Sequence, residues 1–142
     1  MKKLAILAAL LIPGGVLSHV NAQEGCSAAN LRGIYSFVAS GAIVNVPGFP
    51  AGPFVAAGRT VYDGNGGAQG EIQISLNGNI VVDTWHGTYS VDPATCSATK
   101  TIKLDTVGAA LHFYITVGAY FQELRFIATD SGTAISGTAR RL

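Results

Sequence analysis

Apolar and polar residues alternate along most of this chain, with the period of two that is typical of a β-strand with one buried face. The clearest case is 71–76, where Ile72, Ile74 and Leu76 alternate with polar residues and are therefore predicted to face a core. No segment carries a convincing helical period. Strands are predicted at 31–46, 54–62, 68–76, 80–86, 88–91, 99–104, 111–117, 121–129 and 133–139.

Two glycine-rich segments, 63–67 and 77–79, separate strands in the central part of the chain. Asp-Gly and Asn-Gly dipeptides accept positive φ angles at low cost, so both segments are predicted to be hairpin turns. The first also has the oxygen-rich character of a calcium loop. An EF-hand-like loop needs a bidentate Glu at its twelfth position, which here is Ile74, so a hairpin turn explains the segment fully.

Short strands joined by frequent turns are typical of an all-β sandwich or barrel. The chain contains 18 glycines, several of them inside predicted strands, which suits strands that bend to close a barrel. We therefore predict a single antiparallel up-and-down β-barrel of about eight strands, with a sandwich as the alternative.

The N-terminus reads as a cleaved signal peptide at 1–22. Lys2 and Lys3 precede an apolar run that is too short to span a bilayer, and Val20-Asn21-Ala22 forms a small-residue cleavage site. The predicted mature domain is 23–142, and no later stretch is apolar enough to span a membrane. A secreted or periplasmic location is expected.

The charge and cysteine content of the chain limit the kinds of partner and metal site that are expected. The whole chain has nine basic and eight acidic residues, with no basic run of the kind that nucleic acid binding requires. Cys26 and Cys96 are predicted to form a disulfide in an oxidising compartment. The alternative is a metal site, but two thiols without a nearby histidine make a poor zinc site, so no metal is expected.

The segment 46–54 contains three prolines, which favour an extended loop rather than a central strand. It also carries Phe49 and Phe54, and two phenylalanines in a loop need a partner surface. The loop is predicted either to cover one mouth of the barrel as a lid or to form a contact in a homo-oligomer.

Candidate chemistry is sparse. His86 lies near Asp83, and a neutral imidazole beside a carboxylate could act as a general base. However, residues an odd number apart face opposite sides of a regular strand, so a polar histidine near a turn is the simpler interpretation. No nucleophile motif and no cofactor site is recognised. A small barrel either fills its interior with side chains or holds one small ligand. The candidate ligand-binding residues are Phe49, Phe54, Tyr62, Trp85, His86 and Phe113.

Several short motifs resemble a group of small secreted bacterial proteins of no assigned function. The motifs are Leu31 to Phe37, Gly58-Arg59 leading into Tyr62 to Gly66, Ser75 to Gly78, Gly87 to Val91 and Ser136 to Ala139. By overall pattern the scaffold is similar to the eight-stranded barrels of the allene oxide cyclase and dirigent proteins and, more loosely, to the lipocalin-like calycins. The resemblance implies a barrel fold but transfers no catalytic residue.

Two functions remain open on the sequence alone. The first is a secreted barrel that binds a small apolar or aromatic molecule, or that acts as an extracytoplasmic structural or interaction module. The alternative is an isomerase or cyclase of the allene oxide cyclase type, in which the shape of the pocket steers a hydrophobic substrate. Buried polar groups in an apolar pocket would favour the enzyme, a wholly apolar pocket would favour binding, and a packed interior would argue against both.

Overall fold

The computed structural model describes residues 25–142, so the predicted leader and its cleavage site lie outside the described residues. Eight strands account for most of this region, and two single-turn 3₁₀ helices, Ala28–Leu31 and Ala119–Phe121, complete it. The strands are β1 (Gly33–Ile43), β2 (Gly52–Tyr62), β3 (Gly67–Leu76), β4 (Asn79–Asp92), β5 (Ser97–Leu104), β6 (Ala110–Gly118), β7 (Glu123–Ala128) and β8 (Thr133–Arg141).

Each strand pairs in antiparallel orientation with the next, and β8 pairs with β1 to close the barrel. The predicted eight-stranded up-and-down barrel is therefore confirmed. Closure leaves every strand with two neighbours, so no sheet edge is exposed. Within the described residues, no helix is long and apolar enough to cross a membrane.

Strand bounds differ from the prediction by up to three residues, and two of the differences involve residues that read as strand breakers. The predicted strands 80–86 and 88–91 form one continuous strand, β4, because Gly87 lets the strand pass close to the backbone of β5 at Thr101 without interrupting it. Strand β2 begins at Gly52 and includes Pro53. The carbonyl of Pro53 accepts a hydrogen bond from the Asn77 amide in the β3–β4 turn, so the missing N–H points beyond the end of β3 and no ladder bond is lost.

The predicted hairpin turns are confirmed. Asn77 and Gly78 join β3 to β4 with φ angles of 49° and 84°, which are the positive values of a tight two-residue turn. In the β2–β3 turn, the Asp63 carboxylate accepts hydrogen bonds from the amides of Asn65 and Gly67 at 2.7 and 2.9 Å. These bonds lower the pKa of Asp63. Interactions within these turns therefore favour the pairing of consecutive strands.

Most of the barrel interior is packed with side chains, but the inward-facing Lys100 and Phe126 are only partly buried. Ile72, Ile74 and Leu76 are all buried, whereas Glu71 and Gln73 are exposed, as the alternation predicts. Aromatic residues line the middle of the barrel and aliphatic residues fill much of the remainder, so the core resembles that of a small closed barrel rather than an open channel.

The N-terminal segment covers one end of the barrel. The predicted Cys26–Cys96 disulfide is confirmed, with Cα atoms 5.3 Å apart, and it ties this segment to the β4–β5 turn. Leu31, the last residue of its 3₁₀ helix, is completely buried. Tyr89 donates a hydrogen bond to the Ala28 carbonyl at 3.0 Å, so the interior is linked directly to this cover.

The proline-rich loop lies at the opposite end, where it connects β1 to β2. Phe49 is half-buried and packs against the core. Phe54, predicted as part of the same loop, is instead an inward-facing residue of β2 and is 4% exposed. The two phenylalanines therefore have different roles, one at the barrel end and one inside the barrel.

Candidate functional site

A lysine lies inside the barrel. The inward-facing residues of β5 are Ala98, Lys100, Ile102 and Leu104, while Lys103 on the same strand is exposed. Lys100 is paired across the sheet with Tyr89 of β4 and Phe113 of β6, so its position is fixed by ladders on both sides. The strand register alone therefore directs a cationic side chain into the core.

Four aromatic rings surround the Lys100 ammonium. Its Nζ atom lies 5.0 Å from the centre of the Trp85 ring, 5.6 Å from that of Tyr62, 5.4 Å from that of Phe113 and 5.9 Å from that of Phe126. All four distances fall within the roughly 6 Å range of cation–π attraction. We call these four rings and the lysine the aromatic cage.

The cage rings come from four strands and are held by edge-to-face packing. Phe113 and Phe126 meet at 5.7 Å with perpendicular planes, and Tyr62 contacts Tyr89 in the same way at 4.9 Å. Gly70 of β3 leaves room for the Trp85 indole, because a Cβ atom at this position would lie 2.7 Å from the ring. A glycine thus shapes the wall of the cage.

No acidic group balances the lysine. Among residues 25–142, none of the ion pairs or side-chain hydrogen bonds involves the Lys100 ammonium. The buried Asp83 is not paired with Lys100, and it accepts hydrogen bonds from the amides of Thr84, Thr106 and Val107. Burial raises the pKa of Asp83, but these bonds outweigh that effect and lower it overall.

A second hydrogen-bond donor in the cage also lacks a partner. Trp85 is 2% exposed, and its Nε1 atom is the one buried side-chain polar atom of the described residues that makes no hydrogen bond. A buried donor without an acceptor costs roughly 1–3 kcal/mol. The cage therefore presents an ammonium and an indole N–H without an acceptor for either group.

Burial changes the proton affinities in the cage. Desolvation lowers the pKa of Lys100 from 10.5 to about 8, so an appreciable fraction of the side chain is a neutral amine near pH 8. Burial likewise raises the pKa of Tyr62, with smaller contributions from Tyr35 and Tyr89, which keeps its hydroxyl protonated. Cation–π attraction opposes the effect on Lys100, because it favours the charged form.

The structure brings three of the six predicted ligand-binding residues together. Tyr62, Trp85 and Phe113 all belong to the cage. Phe54 is buried in the core, and Phe49, in the proline-rich loop, packs against the core at the end of the barrel where that loop lies. The predicted set therefore divides into an interior group and a group at the barrel end, and the remaining residue, His86, lies elsewhere.

His86 lies on the outer wall. It is exposed and faces away from the buried Asp83, as the odd spacing predicts. Its Nδ1 atom is 2.6 Å from Asp105, whose other oxygen accepts a hydrogen bond from Thr84. Hydrogen bonds from Thr84 and His86 lower the pKa of Asp105. An open cleft of about 470 Å³ adjoins this pair, with mixed polar and apolar walls.

A larger groove crosses the outer wall over β1, β2, β6, β7 and β8. Its volume is about 760 Å³, and the small residues Ser40, Ser136 and Gly137 line it together with larger side chains. Its apolar walls include the exposed side chains of Val38 and Ile127. The groove is a second place where an apolar molecule could lie, but it offers no buried polar group to orient one.

Comparison with known proteins gives no match, either to a protein-family model, to a curated protein or to a solved structure. Within residues 25–142, no group of three or more histidine, cysteine, aspartate or glutamate residues could hold a metal ion. The cage is therefore interpreted from its own geometry.

Lys100 is the functional candidate that sequence reasoning missed. The alternation in which Ile102 and Leu104 face inward reaches position 100 when it is extended by one step toward the N-terminus. A charged residue at that step breaks the pattern, and such a break inside a strand is the signal that could have identified it. Phe126 was also left out of the candidate set, although it occupies an inward-facing position on β7.

Proposed function

We propose that this protein is an exported β-barrel that binds a small molecule with an apolar or aromatic body in its aromatic cage. The observation that carries the proposal is the convergence of Tyr62, Trp85, Phe113 and Phe126 on one unpaired ammonium. Ligand sites are typically apolar and contain a few polar groups that fix the orientation of the bound molecule. The confirmed disulfide is consistent with export to an oxidising compartment.

The cost of the lysine supports a functional role. An unpaired ammonium inside a protein is unfavourable, and an apolar side chain of similar length would fill the same volume without that cost. Strongly perturbed ionisable groups occur preferentially at functional sites. Lys100 is also only partly buried, although it points into the barrel.

Fluorescence offers a direct test because Trp85 is the only tryptophan of the chain. The exported protein is titrated with phenol, a small neutral aromatic probe, and the emission of Trp85 is followed. Binding in the cage is expected to produce a saturable change in emission. Phe113→Leu, which keeps an apolar side chain but removes a ring of the cage that does not line the outer groove, is expected to weaken binding several-fold.

Ile127→Ser is the matched control, because Ile127 faces outward on β7, the strand that pairs with β6 beside Phe113, and lines the outer groove. This substitution should leave the affinity for phenol unchanged. An emission change that is lost in Ile127→Ser and kept in Phe113→Leu would place binding on the outer wall and contradict the proposal. The absence of any saturable change in the wild-type protein would also contradict it.

A second candidate function is an isomerase or cyclase that acts on a hydrophobic substrate. The specific observation in its favour is a buried polar group in an aromatic surrounding, namely Lys100, whose pKa of about 8 lets its amine accept a proton near neutral pH. In this case Lys100 would be the general base and the cage would set the shape of the substrate. The resemblance to the allene oxide cyclase barrels is consistent with this alternative.

A further inference from the structure

The cage contains two donors and no acceptor. Lys100 carries a positive charge whenever it is protonated, and the Trp85 indole contributes a neutral N–H that makes no hydrogen bond. The Lys100 Nζ atom lies only 5.0 Å from the centre of the Trp85 ring. An acidic group seated between these donors would supply the charge and the acceptor atoms that are missing.

We infer that the cage recognises the acid group of its ligand, so that the natural ligand is a small aromatic or apolar carboxylic acid held by Lys100 and Trp85. This inference rests on the proposed function and adds the chemical class of the ligand. The carboxylate would accept a charge-assisted hydrogen bond from the Lys100 ammonium and a second bond from Trp85 Nε1. The remaining cage rings would contact the body of the ligand.

The other charged groups of the barrel do not offer this arrangement. Arg141 approaches the interior at the disulfide end, but its guanidinium already donates to the Tyr35 hydroxyl and the Asn30 carbonyl, at 2.7 and 2.6 Å. Arg59 and Glu71 pair on the outer wall at 3.2 Å. Among the described residues Lys100 is therefore the interior cation that still lacks an acceptor.

The test compares benzoate with benzamide, two probes of nearly equal shape that differ in charge. Affinities are measured by calorimetry at pH 6.5, where Lys100 is charged. Wild-type protein is expected to bind benzoate at least about 10-fold more tightly than benzamide, because a hydrogen bond to a charged group is worth roughly 1.5–3 kcal/mol. Chloride and acetate form a third arm, which detects a site for a small anion without an aromatic body.

Lys100→Met keeps the length of the side chain and removes its charge. This variant should lose the preference for benzoate and keep its affinity for benzamide. Lys103→Met is the matched control, since Lys103 is the outward-facing lysine of the same strand, and it should behave like the wild type. Trp85→Phe should reduce the preference for benzoate several-fold. Lys100→Gln serves as a second variant if the methionine variant does not fold.

The outcomes separate this inference from the proposed function. Equal binding of benzoate and benzamide would overturn the inference and leave the proposed function intact, as would a preference for benzoate that survives Lys100→Met. Binding of neither aromatic probe, with binding of chloride alone, would overturn both. Wild-type preference for benzoate above pH 9 that equals the preference at pH 6.5 would also count against the lysine, because the ammonium is then largely deprotonated.

Discussion

Replacing Lys100 by methionine is expected to stabilise the barrel at neutral pH, by an amount that shrinks as the pH rises. Burial lowers the pKa of this side chain from 10.5 to about 8. At about 1.4 kcal/mol per pH unit, that change corresponds to a folding cost of about 3 kcal/mol for the charged form. Attraction to the four rings stabilises the ammonium, so about 3 kcal/mol is an upper limit on the folding cost of the charged form.

The pH dependence follows from proton linkage. Between pH 8 and 10.5 the unfolded chain binds more protons at this site than the folded chain does, so the wild-type protein gains stability as the pH rises through this window. The cost is fully present below pH 8 and disappears above 10.5. The stability difference between Lys100→Met and wild type should therefore fall by about 2 kcal/mol between pH 7 and pH 9.5.

Urea unfolding followed by far-ultraviolet circular dichroism, with the disulfide intact, measures this difference. All other titrating groups are common to both proteins and cancel in the comparison. Lys103→Met provides the control, and its difference from wild type should not change with pH. A stability difference for Lys100→Met that is independent of pH, or a variant less stable than wild type at pH 7, would refute the reasoning.

Two further substitutions test the core and the covalent link. Ile74→Ala should lower the free energy of unfolding by roughly 2–5 kcal/mol, because Ile74 is buried inside the barrel. Gln73→Ala, at the exposed neighbouring position, should change it by no more than about 0.5 kcal/mol. Equal effects of the two substitutions in urea unfolding would contradict the observed inward and outward faces of β3. Replacing Cys26 and Cys96 together by serine opens a loop with a sequence separation of 70 residues. In the chain-entropy model this should lower the free energy of unfolding by about 4 kcal/mol. No loss of stability would contradict a constraining role for the disulfide.

The parts of the fold that depend on neighbouring residues could be predicted from the sequence. Hairpins such as that at Asn77 and Gly78 are specified by the dipeptide itself, and a series of them yields a meander that closes into a barrel. The inward face of β3 follows from strict alternation. The disulfide follows from two cysteines in a chain with an apparent export signal.

The features that depend on contacts between distant strands were harder to predict. Pro53 reads as a strand breaker, and only its position beyond the end of β3 makes it acceptable in β2. Gly87 reads as a boundary between two strands, yet it lies inside one. The cage needs residues from β2, β4, β5, β6 and β7 at one level of the barrel, and that level depends on the stagger between strands, which no local pattern contains.

The inward position of Lys100 does not result from a poorly defined register of β5. Pairing with Tyr89 on one side and Phe113 on the other fixes the register of β5, and a shift by one residue would turn Ile102 and Leu104 outward. The lysine is thus held inside by the same ladders that bury its apolar neighbours. A cost of up to about 3 kcal/mol is a large share of the roughly 5–15 kcal/mol by which most domains are stable. Methionine would fill this site without that cost, so the retained ammonium favours a binding role over a packing role for the cage.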